Sequence, residues 1–266
     1  MNFRTIVTIE KSSFKIFPRE RMLFVGSCFA QRIGSIFQQE NFPVVVNPYG
    51  VMYNPASVLH TIERTDMAPR VTFLTLGTNH VYILKETDEI VDNCQKRSQS
   101  LFYERSLSVD ECVAYLSQAV KLLVSRRNDA KIVITVSPIR YAKYGFHGSQ
   151  LTKATLLLAT EELRHLFPNL VVYFPAYEIV CDELRDYRYY DEDMLHPSNQ
   201  AVKYIWERFQ DTFFDKDTLR YLQEWKPVKE ALAHRPFNPD SSEYQQFVAN
   251  ARLRASQIER KYPIRE

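Results

Sequence analysis

The stretch MLFVGSCFAQRIGSIFQQE, residues 22–40, carries the first signal of the architecture. Its first four residues are apolar, which indicates a buried strand. The run stops at Gly26-Ser27, and apolar side chains then recur near helical spacing from residue 28 to residue 40. We therefore predict a strand, a tight turn and a helix, which together form the first half of a βαβ unit.

The same alternation of short apolar runs and helical patterns continues along the chain. Further strands are predicted at residues 43–46, 71–76, 131–136 and 170–174. Helices are predicted at residues 55–63, 108–126, 150–166, 177–184 and 199–209. Strands separated by helices predict an α/β fold with a mainly parallel five-stranded sheet that is covered on both faces.

Two parts of the chain follow a different pattern. Residues 81–84 predict a strand extension or a hairpin arm, and the polar residues 86–100 predict a loop. Beyond residue 214 the chain becomes richer in proline and charge, and a charged helix is predicted near residues 242–261. We expect residues 1–214 to form the α/β domain and residues 215–266 to form a helical appendage packed on it.

The composition excludes several classes of function. The chain has six glycines in 266 residues, against an average of about 7%, and neither a G-x-G-x-x-G nor a G-x-x-x-x-G-K-[ST] motif occurs. The net charge is +2, without the large excess expected of a nucleic-acid binder. No apolar run approaches the length of about 20 residues that a membrane span needs. We expect neither a nucleic-acid partner nor a membrane partner.

The cysteines and the N-terminal segment predict a cytoplasmic protein. The four cysteines form no C-x-x-C pair and match no common zinc-site spacing, so neither a metal nor a cofactor is predicted. The first 16 residues lack the apolar core of a secretory signal. Reduced thiols in the cytoplasm are the simplest expectation.

Three residues suggest nucleophilic catalysis. Ser27 lies between a predicted strand and a predicted helix, where its hydroxyl would stand at the sheet edge beside helix amides. Taken alone, such a serine is more often a helix cap. The segment Asp193-Met-Leu-His196 supplies a carboxylate and an imidazole at a spacing that allows them to pair. The combination predicts a serine, a base and an orienting acid.

These residues carry a resemblance to a known family. The string Gly-Ser-Cys-Phe-Ala at residues 26–30 resembles the motif that names the GSCFA family, which is similar to the SGNH/GDSL hydrolases. The similarity extends over nearly the whole chain. Its further motifs are NPYGVMYNP at 47–55, LGT at 76–78, NC at 93–94, VSPIR at 136–140, YFPAYEI at 173–179, DELRDYR at 182–188, DMLHP at 193–197 and HRPFNP at 234–239.

The resemblance implies both a fold and a set of roles. It implies a flavodoxin-like, three-layer α/β/α sandwich with Ser27 as nucleophile and Asp193 and His196 as the remaining members of the triad. The oxyanion hole would be formed by the amide of Ser27, the amide of Gly50 and the side chain of Asn79. No cofactor is implied.

Other residues near the predicted site have weaker assignments. Arg140, at the end of the fourth predicted strand, could bind an anionic group of the substrate or form a surface ion pair. Asn93 and Lys96 could line the cleft or belong to a solvated loop. Cys28 is expected to pack as a small apolar residue rather than to act as a nucleophile.

The expected activity is hydrolysis of an ester, with O-acylated carbohydrate as the preferred substrate class by analogy with the wider superfamily. Two alternatives remain open. An acyltransferase would use the same acyl-enzyme with a sugar hydroxyl in place of water. A catalytically silent binding module would keep the fold alone, and the short segment at 56–70, where family members are longer, favours it.

Overall fold

The computed structural model describes residues 4–92, 94 and 97–266. In chain order its strands are β1 (Met22–Gly26), β2 (Val44–Val46), β3 (Val71–Leu76), β4 (His80–Leu84), β5 (Glu89–Val91), β6 (Phe102–Ser106), β7 (Lys131–Val136) and β8 (Val171–Tyr173). Its α-helices are α1 (Cys28–Gln39), α2 (Pro55–Arg64), α3 (Val109–Arg126), α4 (Gly145–Leu166), α5 (Ala176–Glu178), α6 (Asn199–Phe213), α7 (Lys216–Ala233) and α8 (Ser242–Lys261).

The central sheet has the strand order β2-β1-β3-β7-β8, and every pair in it is parallel. If the three hairpin strands are left out of the numbering, this is the 2-1-3-4-5 order of flavodoxin-like sheets. The predicted α/β class and all five predicted strands are confirmed. The carboxyl ends of β1, β3 and β7 meet at one edge, where ligands bind in such sheets.

Helices cover both faces of this sheet because the side chains of each strand alternate between the faces. Phe24 of β1 packs against Phe37 of α1, which in turn contacts Trp206 of α6, with ring centroids 5.2 and 4.8 Å apart. Leu23 and Val25 point the other way, into a second core formed with α2, α3 and α4. The result is the expected three-layer α/β/α sandwich.

A second, antiparallel sheet with the order β5-β4-β6 follows β3. The prediction of a loop at residues 86–100 therefore needs correction, because β5 lies within it. Strand β5 has only three residues, and Val91 pairs with Tyr82 of β4 through the backbone. Strand β6, of sequence FYERS, exposes most of its side chains, so neither strand produces an apolar run.

The C-terminal segment contains two helices rather than the one that was predicted. Helix α8 has the predicted bounds, whereas α7 was missed because Pro227 lies inside it and proline usually ends a helix. Tyr221 of α7 donates a hydrogen bond to the carbonyl oxygen of Glu40 at 2.7 Å, and Trp225 donates one to that of Gln39 at 2.9 Å. Helix α7 therefore packs on the carboxyl end of α1.

Helix starts and ends differ modestly from expectation. The predicted capping box at Ser108 is present, since Ser108 and Glu111 exchange hydrogen bonds at the start of α3. Helix α4 begins at Gly145 rather than at Gln150. Among the described residues, every helix is either too short or too polar to span a lipid bilayer.

Candidate active site

Ser27 occupies the turn between β1 and α1. The preceding Gly26 has φ of +138°, and a Cβ at that position would lie 2.1 Å from the carbonyl oxygen of Thr75, so a residue with a side chain cannot replace it. Ser27 Oγ accepts a hydrogen bond from the Phe29 amide at 3.2 Å and thereby caps α1. The same atom lies 2.8 Å from Thr75 Oγ1. The hydroxyl that caps α1 is thus the same one that the sequence predicts as the nucleophile.

Asp193 and His196 form a tight pair in the loop before α6. Asp193 Oδ1 accepts hydrogen bonds from the backbone amides of His196 and Leu195 at 2.9 and 2.8 Å, and Oδ2 accepts one from His196 Nδ1 at 2.6 Å. These three bonds lower the pKa of Asp193 to about 2, the backbone bond from His196 contributing most. The ionised carboxylate assigns the proton to Nδ1, so Nε2 of the neutral ring is an acceptor.

Ser27 and His196 line the same cavity, which has a volume of about 270 Å³. The loops after β1, β3 and β7 form its walls together with the loop that carries His196. Half of the other lining residues are apolar or aromatic: Tyr53, Ile139, Tyr141, Ala142 and Leu195. The cavity is smaller than the roughly 300–1,000 Å³ of sites for drug-sized ligands, and it therefore suits a small group.

The hydroxyl of Ser27 is turned toward Thr75 rather than toward the imidazole. Within the described residues, no hydrogen bond joins Ser27 to His196. A change of the Ser27 side-chain rotamer would be needed before His196 could accept its proton. Catalytic hydrogen bonds of this kind are often long or absent before a substrate binds.

A larger groove of about 1170 Å³ begins at Cys28 and His196, which also line the cavity, and runs between α1, α6 and α7. Side-chain amides line it: Gln31, Gln39, Asn199, Gln210 and Gln223. Its charges balance, with four basic residues (Arg32, Lys203, Lys226 and Lys229) and four acidic ones (Glu40, Asp191, Glu207 and Glu230). Apolar side chains line it as well: Ile36, Val202, Trp206, Leu219 and Leu222. The groove is therefore mixed in polarity, and its formal charges cancel.

The structure does not assemble the expected oxyanion donors at the cavity. The Ser27 amide donates to Thr75 Oγ1 at 2.8 Å. Gly50 is exposed, and its amide closes a turn by donating to the Asn47 carbonyl at 2.9 Å. Asn79 is buried, and its side-chain NH₂ donates to the Leu107 carbonyl at 2.7 Å. Each donor already has a partner, and neither Gly50 nor Asn79 lines the cavity.

The expected substrate-binding residues have different outcomes. Arg140 lines the cavity, but its guanidinium donates to the Met194 carbonyl at 3.1 Å and its backbone amide donates to the Leu195 carbonyl at 3.0 Å. Arg140 thus supports the loop that holds His196, and its contact with substrate stays a prediction. Asn93 and Lys96 lie outside the described residues.

Sequence reasoning overlooked several residues that shape the site. Tyr53 and Tyr141 both line the cavity, and their rings meet edge to face with centroids 6.2 Å apart. Tyr53 lies in the motif at 47–55, which could have drawn attention to it. Lys153 is fully buried in α4 beneath the same loops. Lys153 lies three residues before Leu156 on the apolar stripe of that helix, and a lysine at such a position indicates a buried amine.

Comparison with known families identifies the chain. Residues 21–72 and 67–209 match the model described as the GSCFA family, and residues 225–265 match the model described as the GSCFA domain protein, C-terminal domain. The chain belongs to the GSCFA family. The first match includes Ser27, Asp193 and His196, and the second includes all of α8. The family resemblance expected from the motifs of this GSCFA chain is confirmed.

Several solved structures are similar to the GSCFA chain. One is a catalytic mutant of Axe2, an acetylxylan esterase from Geobacillus stearothermophilus (14% identity, 76% of this chain and 98% of that chain, TM-score 0.46). Another is a carbohydrate esterase family 3 protein from Talaromyces cellulolyticus (9% identity, 77% and 99%, TM-score 0.43). A third, from Streptococcus pneumonia, is named for platelet activating factor (16% identity, 74% and 84%, TM-score 0.46). No curated protein matches the chain.

Proposed function

We propose that this GSCFA protein is an SGNH-type ester hydrolase with a Ser27–His196–Asp193 triad. One observation carries the proposal: Ser27 and His196 line a single cavity, while Asp193 binds the nitrogen of the imidazole that faces away from the reaction. A nucleophile, a base and a group that orients the base are the parts that acyl transfer through serine requires.

The proposed reaction begins when Ser27 leaves Thr75 and turns into the cavity. His196 Nε2 takes the hydroxyl proton as Ser27 Oγ attacks the ester carbonyl, and the ionised Asp193 stabilises the imidazolium that forms. The imidazolium then gives its proton to the departing alkoxide, which leaves an acyl group on Ser27. A water molecule, deprotonated by His196 in the same way, releases the acid and restores the serine.

The expected donors Ser27, Gly50 and Asn79 stay a prediction, and two other groups are better placed to hold the oxyanion in this arrangement. Cys28 is the first residue of α1 and lines the cavity, so its amide lies among the helix-end donors that have no acceptor within the helix. Tyr53 lines the same cavity, where its hydroxyl lies 3.7 Å from Cys28 Sγ, and burial raises the pKa of that hydroxyl, which keeps it protonated. We assign the oxyanion to the Cys28 amide and the Tyr53 hydroxyl.

The two openings that meet at His196 suggest how an ester would lie. The small apolar cavity suits a short acyl group, such as acetyl. The groove suits the alcohol part, because side-chain amides and balanced charges bind hydroxyl groups better than they bind a polyanion. This arrangement supports an O-acylated carbohydrate as the substrate.

The cysteines support the predicted cytoplasmic location. Cys28, Cys94, Cys112 and Cys181 are all free thiols. Free thiols are typical of a reducing compartment, although they also occur elsewhere.

Labelling with a fluorophosphonate tests the proposed nucleophile. The wild type should label at Ser27 and hydrolyse 4-nitrophenyl acetate, and Ser27→Ala should lose both properties. Ser137→Ala is the matched control, since Ser137 also lines the cavity. This variant should still be labelled at Ser27. A folded wild-type protein that never labels would overturn the enzyme proposal and leave the silent binding module.

Adding sugar acceptors distinguishes hydrolysis from transfer. Acetate should be the main product from acetylated xylo-oligosaccharides at every acceptor concentration. Acetylated acceptor as the main product would instead establish the acyltransferase alternative with the same triad.

A further inference from the structure

Lys153 is a buried amine close to the candidate site that the proposed reaction does not use. Its side chain is among the largest fully buried ones, with 1% exposure. The amino group Nζ donates hydrogen bonds to the carbonyl oxygens of Gly77 and Ser137, both at 2.8 Å. Burying an ionisable amine is costly, which suggests a role beyond filling the core.

The two carbonyl groups belong to neighbouring walls of the cavity. Gly77 follows β3 and Ser137 follows β7, which are adjacent parallel strands. Both residues line the cavity together with Ser27. Gly77 lies directly against the nucleophile, since a Cβ on Gly77 would be 3.6 Å from Ser27 Cβ. A shift of either loop would therefore change the space into which Ser27 must turn.

Lys153 is the group that joins these loops from below. The Gly77 amide is bound to the Tyr53 carbonyl at 2.8 Å, and the Ser137 amide is bound to the Leu76 carbonyl at 2.8 Å. The second of these bonds already joins the first residue of the loop after β7 to the last residue of β3. The two bonds from Nζ add a second connection, at Gly77 and Ser137 themselves, and tie both loops to α4.

We propose that Lys153 is a positioning residue that sets the distance between the loops after β3 and β7 and thereby keeps the cavity open for Ser27. This proposal rests on the proposed function for its effect on activity. The restraint of the two loops by Lys153 is independent of the proposed function.

The test replaces the ammonium with an apolar group of similar length. Lys153→Met should lower kcat for 4-nitrophenyl acetate by about tenfold or more and change KM by less than threefold. Loop misplacement affects the chemical step more than the binding of so small an ester. Hydrogen exchange at residues 76–80 and 137–141 should become at least tenfold faster.

Leu156→Ala is the matched control. Leu156 is fully buried on the same helix, three residues further along, and its loss weakens the core without removing a bond to either loop. This variant should keep kcat within twofold and leave exchange in the two loops unchanged at a temperature where it is folded. Equal losses in both variants would mean that Lys153 acts only through global stability and would overturn the proposal.

A second variant covers the case in which Lys153→Met does not fold. Lys153→Gln keeps a neutral donor, and it should show intermediate loop exchange and an intermediate kcat. Unchanged loop exchange in a folded variant overturns the proposal whatever the activity. Faster loop exchange in a protein whose wild type neither labels nor hydrolyses esters would sustain the positioning role and reject the proposed function instead.

Discussion

At the scale of single residues, Thr75 holds the hydroxyl that the proposed reaction needs. Its Oγ1 accepts from the Ser27 amide and lies 2.8 Å from Ser27 Oγ, and Thr75 itself is fully buried. Because a hydroxyl can donate one bond and accept two, both contacts can exist together. If Ser27 donates the Oγ–Oγ1 bond, the proposed attack must break it, which would add a small energy barrier to the reaction.

Thr75→Val should release this restraint. Valine keeps the shape but lacks the hydroxyl, so we expect kcat/KM for a small ester to rise about 2- to 10-fold, from the 0.5–1.5 kcal/mol of one hydrogen bond. The same change should lower the free energy of unfolding by about 1–2 kcal/mol, because the Ser27 amide loses its better acceptor.

Thr135→Val is the control for that substitution. Thr135 is the buried cross-strand partner of Thr75 on β7 and makes no contact with Ser27 Oγ. It should lower stability without raising kcat/KM. A fall in kcat/KM for Thr75→Val, measured by steady-state kinetics, would mean that Thr75 assists the reaction rather than restrains it.

At the scale of secondary-structure elements, α4 carries a charge that should make folding depend on pH. Burial lowers the pKa of Lys153 to about 7, and the Cys181 thiol partly opposes that shift. The centroid of the Tyr177 ring lies 6.0 Å from Nζ. In the unfolded chain the lysine pKa is about 10.4.

Lys153 should make the folded protein more stable as the pH rises. Between about pH 7 and pH 10 the unfolded chain holds a proton on Lys153 that the folded protein has lost, so stability should rise with pH, by at most about 1.4 kcal/mol per unit. The free energy of unfolding of wild type minus that of Lys153→Met, from urea titrations, should therefore increase over this range. A flat difference would show that Lys153 keeps its ordinary pKa.

The elements also show what the sequence could predict. Strands of the central sheet are buried on both faces, so their apolar runs located them, and the turn at Gly26-Ser27 followed directly from the end of one run. Strand β4 corresponds to the hairpin arm predicted at 81–84. Strands β5 and β6 were missed because their pairing is made by backbone groups and leaves most side chains of β6 exposed. Periodicity records burial rather than pairing.

In the candidate site, too, contacts between residues close in sequence could be predicted and long-range contacts could not. The pairing of Asp193 with His196 is local, at a spacing of three residues, and could be predicted. The oxyanion donors could not, because the partner of each expected donor lies on another part of the chain or in a turn that no motif records. Asn79 binds Leu107, 28 residues away, and nothing in the sequence near Asn79 indicates that contact.

At the scale of the whole molecule, the C-terminal helices form part of the core of the α/β domain. Tyr221 and Trp225 bind the last carbonyl groups of α1, while Ser27 caps its first turn. The helix that has the proposed nucleophile at its start is thus held at its end by α7. Tyr221, Trp225 and Val228 all belong to the same core cluster as Phe24 of β1.

Tyr221→Phe should therefore weaken the entire protein. It leaves the Glu40 carbonyl without its 2.7 Å donor in a buried position, which should cost about 1–3 kcal/mol. Calorimetry should show one transition at a lower Tm, because α7 and the sheet unfold together. Tyr244→Phe is the control, since the Tyr244 hydroxyl binds only the nearby His234 carbonyl. Two separate transitions would contradict a shared core.

The chain segment before β1 is paired with the segment that follows α8. The Arg21 amide donates to the Arg265 carbonyl at 2.8 Å, and the Arg265 amide donates to the Arg19 carbonyl at 3.2 Å. On the ribosome, residues 19–21 emerge more than 240 residues before their partner does. The amino end of β1, opposite the end that Ser27 follows, therefore lacks these two hydrogen bonds until residue 265 has been synthesised, and this contact completes late in folding.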